Sequence, residues 1–225
     1  MLGFYKLVKT IVEKYPDVLF ESCASGGNRV DMGILCYMPQ YWCSDNTDSY
    51  DRMKIQEGTL SCYPQSTMGA HVSASPNLQT GRKSMIENRF NVACIGAFGY
   101  ELNPLALSDK EKHEIISQVS QYKKDTEIIT EGLYYRLSNP ASEPSCAWEY
   151  VLQDGSMALV NVVVPLNHGN MPQIYVTPRG LTPGAFYRDV ESGKIYAADA
   201  LMDSGFPLKM PTQDFEGYSF RFERL

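Results

Sequence analysis

No apolar run in this 225-residue sequence approaches the roughly 18–20 residues that span a bilayer, so no membrane partner is expected. The N-terminal stretch MLGFYKLVKTIVEKYPD is amphipathic and has no apolar core followed by a cleavage site, so it is not expected to be a signal peptide. A basic excess is also absent. Twenty Lys and Arg against 26 Asp and Glu leave a formal charge of −6, which provides no electrostatic footprint for nucleic acid. The three histidines, His71, His113 and His168, lie far apart with no acidic cluster beside them, so no metal is expected. No GxxxxGK[ST] or GxGxxG is present, no Ser/His/Asp or Cys/His arrangement is readable from spacing, and no cofactor is expected. CxxC pairs are missing too. Cys23, Cys36, Cys43, Cys62, Cys94 and Cys146 are scattered among apolar neighbours, as free buried thiols would be, which makes the cytoplasm the expected location.

What is present is an ordinary folded composition, 44% hydrophobic and 20% charged. Phe4, Val8, Ile11, Val12 and Tyr15 repeat on one face of a helix that starts almost at Met1 without a cap, and we therefore expect a truncated reading frame. Val18–Phe20, Tyr41–Cys43, Leu60–Tyr63 and Val92–Gly96 have the apolar character of buried parallel strands. Helices are expected over about Tyr50–Gln56 and Thr80–Asn88, and GAHVSASPN reads as a loop. Four strand–helix alternations in about 95 residues predict right-handed βαβ units, either half of an eight-unit barrel or a small open sheet. Ser108 and Glu111 form a capping box for a helix with Ile115, Val119 and Tyr122 on its buried stripe and Gly132 at its stop. NPASEPS (Asn139–Ser145) has a linker's composition. The runs 148–152, 157–164, 174–176, 186–190, 194–196 and 218–222 beyond it alternate with turn signals and predict a small antiparallel sandwich.

Two segments carry candidate chemistry, both after strands, where ligands bind in parallel α/β folds. Tyr41-Trp42-Cys43-Ser44-Asp45-Asn46-Thr47-Asp48 sets an aromatic ring beside a carboxyl group. An indole face stacks on the C–H face of a pyranose, and a carboxyl exchanges a proton with a glycosidic oxygen. The structural reading of the same residues is a turn and a helix N-cap, and Asp48 is the better cap candidate. Cys23-Ala24-Ser25-Gly26-Gly27-Asn28-Arg29-Val30-Asp31 is glycine-rich enough for close backbone approach. An Arg29–Asp31 pair is expected to stiffen it; a plain tight turn is the alternative.

Taken in order, FESCASGGNRVDMGILCYMPQYWCSDNTD, KIQEGTLSCYPQSTMGAHVSASPN and FNVACIGAFGYELN resemble the α-galactosidases (melibiases) of glycoside hydrolase family 36, from about residue 4 to at least residue 105. CxxGx(G)RxD followed by WxSDxxD at this separation is the specific part of the resemblance. It implies the C-terminal half of a (β/α)8 TIM barrel over residues 1–138, followed by an antiparallel β-sandwich domain over 139–225. It also implies a retaining α-galactosidase acting on melibiose- or raffinose-type galactosides, with Asp45 as general acid/base and Cys23, Gly26, Arg29 and Trp42 as sugar-binding residues. Asn28 stands in place of a motif glycine and Asn46 in place of a frequent Asp. The family nucleophile, the Asp of a KWDxN-type motif, has no counterpart here, so the chain alone is expected to be inactive, and a full-length parent is expected to be a homo-oligomer, a tetramer being possible. Other readings are a transglycosylase or α-N-acetylgalactosaminidase of the same family, or a non-catalytic galactose-binding fragment.

Overall fold

The computed structural model describes residues 2–225. α1 (Leu2–Lys14) buries Val8 and half-buries Phe4, Ile11 and Val12, the expected stripe, while Tyr15 lies past its end and is exposed. β1 is Glu21–Ser22, not the apolar run before it, and Val18 and Leu19 face solvent. α2 (Met32–Leu35) is capped by Asp31. β2 (Gln40–Trp42) and α3 (Ser49–Leu60) follow closely the expected positions.

Beyond α3 the expected boundaries slip. Leu60–Tyr63 closes α3 and turns away from it. β3 is Met68–Ser73, inside the stretch read as a loop. α4 is Ile86–Ala93, so Val92 and Ala93 end a helix rather than begin a strand, and β4 is Ala97–Glu101. A short apolar run is the same signal for a buried helix turn and for a buried strand. The four strands form one parallel sheet in the order β1-β2-β3-β4, consistent with half of a barrel.

α5 (Asp109–Glu131) opens on the capping box, with Ser108 accepting from the Glu111 N–H and the Glu111 carboxylate accepting from the Ser108 N–H. Its fully buried positions are Gln118, Asp125, Ile128 and Ile129; Ile115, Val119 and Tyr122 are half-buried. β5 (Leu133–Arg136), β6 (Cys146–Val151) and β7 (Met157–Val164) then run antiparallel. Asn139–Ser145 thus connects neighbouring strands of one sheet. β8 (Tyr175–Val176), β9 (Phe186–Asp189), β10 (Ile195–Ala197), α6 (Ala198–Ser204), β11 (Phe206–Pro207) and β12 (Glu216–Arg224) complete the chain. The main sheet has the order β10-β9-β12-β7-β6-β5, and β8 pairs with β11.

Every position of β6 is buried because both faces of this sheet are covered. One face carries Trp148, Tyr150, Leu159 and Val163 into a cluster with Tyr41, Met53, Met68, Val92, Ile128 and Ile129 of the parallel unit. The other packs Val151, Val160, Val162 and Phe222 on Leu201, Phe206 and Leu208. Phe215, the residue before β12, enters the first cluster at φ 61 and meets the Tyr50 ring edge-on at 5.8 Å.

Ion pairs bolt the two units together, Arg136 of β5 to Glu57 of α3 and Arg221 of β12 to Asp125 of α5. The Arg221 guanidinium of β12 donates from Nε to Asp125 Oδ1 at 2.8 Å and from Nη2 to Oδ2 at 2.5 Å, both side chains being largely buried. Removing Asp125 leaves the largely buried Arg221 with only the exposed Glu191, 3.2 Å from its Nη1, as a partner, so the cost is below the roughly 3–5 kcal/mol of a wholly unpaired buried charge yet above that of replacing both partners by apolar groups. Asp125→Leu is therefore expected to lower the urea midpoint more than the double replacement Asp125→Leu/Arg221→Met, a comparison that denaturation curves check directly.

Candidate active site

The site is built on the ends of β1 and β2. In β2, Tyr41 points back into the core, so Trp42 points to the opposite face of the sheet. Opposite Trp42 in the register is Gly69, and opposite His71 is Gly99. Neither glycine has room for a side chain: a Cβ at Gly69 would lie 3.2 Å from the indole, and one at Gly99 would lie 3.0 Å from the His71 ring. Trp42 and His71 stack in the space so left, with centroids 4.6 Å apart at 29°. The Arg52 guanidinium lies 4.0 Å from the Trp42 ring centroid, and only 9% of Trp42 remains exposed. His71 Nδ1 is 3.7 Å from Glu101 Oε2.

Asp45 lies three residues past the end of β2, in a bend, with its side chain exposed and free of hydrogen bonds to the described residues. Its backbone is held from two sides. Gly26, at φ 69 and ψ −138, packs so closely on the segment that a Cβ there would lie 2.7 Å from Ser44 Cα and 3.0 Å from the Asp45 nitrogen. A Cβ at Gly27 would lie 2.8 Å from the Cys43 carbonyl oxygen. The two motifs, some twenty residues apart in sequence, are thus in backbone contact. From the other side, Arg52 donates to the carbonyls of Ser44 and Asn46 and to Cys43 Sγ.

Asp48 is the N-cap of α3, accepting from the Tyr50 N–H at 2.8 Å and the Asp51 N–H at 3.4 Å. Thr80 and Arg82 also donate to it. Burial alone would raise its pKa, but the Thr80 hydroxyl, the Tyr50 N–H and the Arg82 charge outweigh that and hold it below the ordinary carboxylate value. A carboxyl lowered on folding stabilises above its unfolded pKa and loses that contribution as pH falls through the folded value, so this loop weakens in acid.

Cys23 is an exposed free thiol immediately after β1; against the expected burial, Cys36 and Cys62 are exposed too, and only Cys94 and Cys146 are fully buried. Arg29 is exposed and stacks 4.7 Å from the Phe4 ring centroid; it does not pair with Asp31. Asp31 instead accepts from the Tyr5 hydroxyl at 2.5 Å and, as the N-cap of α2, from the Ile34 N–H at 2.9 Å. Asn46 bridges the turn, donating to Asp51 at 2.7 Å and accepting from the Asp48 N–H at 3.0 Å. Asn28 donates to the Ser25 carbonyl.

Sequence reasoning missed Arg52, Thr80, Arg82 and Glu101. Only Arg52 left a signal, lying four residues after the cap on the first turn of α3, from which a long side chain leans back over the preceding loop. Chemically the site offers solvent-facing carboxyls at Asp45 and Glu101, the first on a backbone held by Arg52, with the Cys43 sulfur on the same guanidinium. Among the described residues no group of three or more His, Cys, Asp or Glu could hold a metal, and no helix is long and apolar enough to cross a membrane.

Residues 1–132 match the melibiase family model and residues 145–222 that of the glycosyl hydrolase family 36 C-terminal domain. The chain is 47% identical over 225 residues to the bifunctional alpha-galactosidase/sucrose kinase AgaSK of Mediterraneibacter gnavus, covering all of itself and 24% of that protein. It is 42% identical to alpha-galactosidase AgaA of Geobacillus stearothermophilus, over 100% of its own length and 31% of the other. The galactosidase domain of AgaSK superposes at a TM-score of 0.97, and a doubly substituted variant of G. stearothermophilus AgaA in complex with raffinose at 0.97 with 41% identity, in each case over 31% of the solved chain. The chain therefore spans a quarter to a third of the length of these relatives, and it belongs to the melibiases, the α-galactosidases of glycosyl hydrolase family 36.

Proposed function

We propose that this chain supplies the acid/base half of a retaining α-galactosidase that removes terminal α-linked galactose from raffinose-type oligosaccharides. The observation that carries the reading is the placement of Asp45: a carboxyl with no protein partner among the described residues, at the C-terminal edge of a parallel sheet, on a backbone clamped by the Gly26 loop and Arg52. A carboxyl engaged in capping would be no use as a proton donor; here Asp48 does the capping and leaves Asp45 free. Relatives solved with raffinose and with stachyose support the substrate class.

In the retaining mechanism two carboxyl groups stand about 5–5.5 Å apart. One attacks the anomeric carbon, while the other protonates the departing oxygen and then, as a base, activates the water that cleaves the glycosyl-enzyme. In this reading Asp45 is the second group, and Cys23, Gly26, Arg29 and Trp42 shape the galactose pocket around it. The nucleophile belongs to barrel strands that complete the sheet beside β1 and β4. Residues 1–138 and 139–225 form the barrel half and the β-sandwich, with β5 at the seam paired to the sandwich sheet.

Two preparations test this. The 225-residue chain alone is expected to release no nitrophenol from a nitrophenyl α-galactoside. A chimaera in which it replaces the matching segment of G. stearothermophilus AgaA is expected to hydrolyse both that substrate and raffinose. Turnover by the chain alone, or a cooperatively folded chimaera with no activity, would refute the proposal.

A further inference from the structure

Arg52 is 3% exposed, yet no carboxylate lies within ion-pairing distance of its guanidinium among the described residues. Burying a charge in this way is expensive unless its donors are satisfied. They are, and all by one short segment. Nε donates to the Asn46 carbonyl at 2.6 Å, Nη2 to the Ser44 carbonyl at 2.5 Å and Nη1 to Cys43 Sγ at 2.9 Å, while the cation lies on the Trp42 ring. The bonded carbonyls flank Asp45, one belonging to the peptide that enters it and the other to the residue after it. Ser44 Oγ accepts from the Asn46 N–H at 3.1 Å and closes the turn from within. Asp45 itself has no side-chain anchor, so the direction of its carboxyl is inherited from a backbone held by these bonds.

We propose that Arg52 is the positioning residue of the acid/base, fixing through Ser44 and Asn46 where the Asp45 carboxyl stands and through Trp42 the wall beside it. This rests on the acid/base reading of Asp45 given above. A planar fork is needed for the role. Lysine brings one point charge on a flexible stem and cannot hold two carbonyls and a thiol at set angles, so Arg52→Lys keeps the charge and loses the geometry.

The test uses the AgaA chimaera with two substrates, raffinose, whose departing oxygen needs protonation, and a nitrophenyl α-galactoside, whose leaving group needs little. A displaced acid slows the first selectively, since a misplacement of about 1 Å costs on the order of 10²-fold. Arg52→Lys is expected to lower kcat/KM, which reports the first step, on raffinose by about 10- to 100-fold and on the nitrophenyl substrate by less than about threefold, while the base-dependent second step slows for both. In an Asp45→Ala background it is expected to add almost nothing, because residues that act as a unit are non-additive. Equal loss on both substrates, or a full further loss in the Asp45→Ala background, would show an ordinary structural arginine and overturn the inference. If Asp45→Ala discriminates between the substrates and Arg52→Lys does not, Arg52 loses its role and Asp45 keeps its own. If Asp45→Ala fails to discriminate, the acid/base reading falls and this inference with it. Should Arg52→Lys fold poorly, Ser44→Ala, which removes only the hydroxyl that closes the same turn, is expected to show the same discrimination at a smaller amplitude; equal slowing of both substrates there would also count against the proposal.

Discussion

Asp45→Ala in the chimaera is expected to slow raffinose hydrolysis by roughly 10²–10⁴-fold, the range that general acid–base catalysis contributes. At about 1.36 kcal/mol per decade, that is about 3–5 kcal/mol of transition-state stabilisation. The nitrophenyl substrate should lose far less in its first step, since its leaving group departs without a proton. Its second step needs a base and should become limiting, so that glycosyl-enzyme accumulates and a burst of nitrophenol precedes slow turnover. Asp45→Ala removes no hydrogen bond to the described residues and no cap, so the melting temperature should stay close to that of the parent. An equal slowing of both substrates without a burst would assign Asp45 some other task. Asp48→Ala is the instructive contrast. It strips α3 of its cap and Thr80 and Arg82 of their buried partner, so its first effect is on stability.

Gly26→Ala should be nearly as damaging by a different route. At φ 69 and ψ −138 a β-carbon is strained whatever the space around it, at a cost of about 1–3 kcal/mol. Here the added carbon also meets Ser44 Cα at 2.7 Å, and backbone cannot rotate aside as a side chain would. Either the 23–29 loop retreats or Ser44 and Asp45 are pushed, and Arg52 resists the second. A fall in kcat/KM of about 10²-fold is expected, along with a lower melting temperature. Gly58→Ala is the control: it lies in α3 with nothing within 4 Å of the added carbon, and it should stabilise by up to about 1 kcal/mol. Parental activity in Gly26→Ala would show that the contact between the two motifs carries no function.

The chemistry-bearing motifs were legible before any fold was known, because WCSD and CASGGNR are built from residue types whose functional and structural uses differ enough to weigh. The strands between them were not. β3 contains Gly69 and His71, and β4 contains Gly99, residues that signal loops when read along the chain. Across the sheet they make sense, since each glycine is the space in which Trp42 or His71 lies. The apolar runs misread as strands, Leu60–Tyr63 and Val92–Gly96, end helices whose other positions are polar but buried: Arg52, Gln56 and Glu57 in α3, Asn88 and Arg89 in α4. Burial of polar residues erases the periodicity on which such readings depend. The second unit was easier to read. Met157–Val164 is a strand over the whole expected run, although β5, β8's partner β11 and the helix α6 left too little pattern to be found.

By itself the sequence determined the alternation of parallel strands and helices, the antiparallel unit that follows, the family and Asp48 as the cap of α3, since these depend on residue type and order along one dimension. Only the tertiary structure decided that Gly26 touches the backbone of Asp45, that Arg52 grips that segment from the opposite side, and that Asp31 belongs to Tyr5 rather than to Arg29. Contacts across a sheet edge are set by register and by the space left where a side chain is missing, and neither quantity is written in the local pattern of a chain.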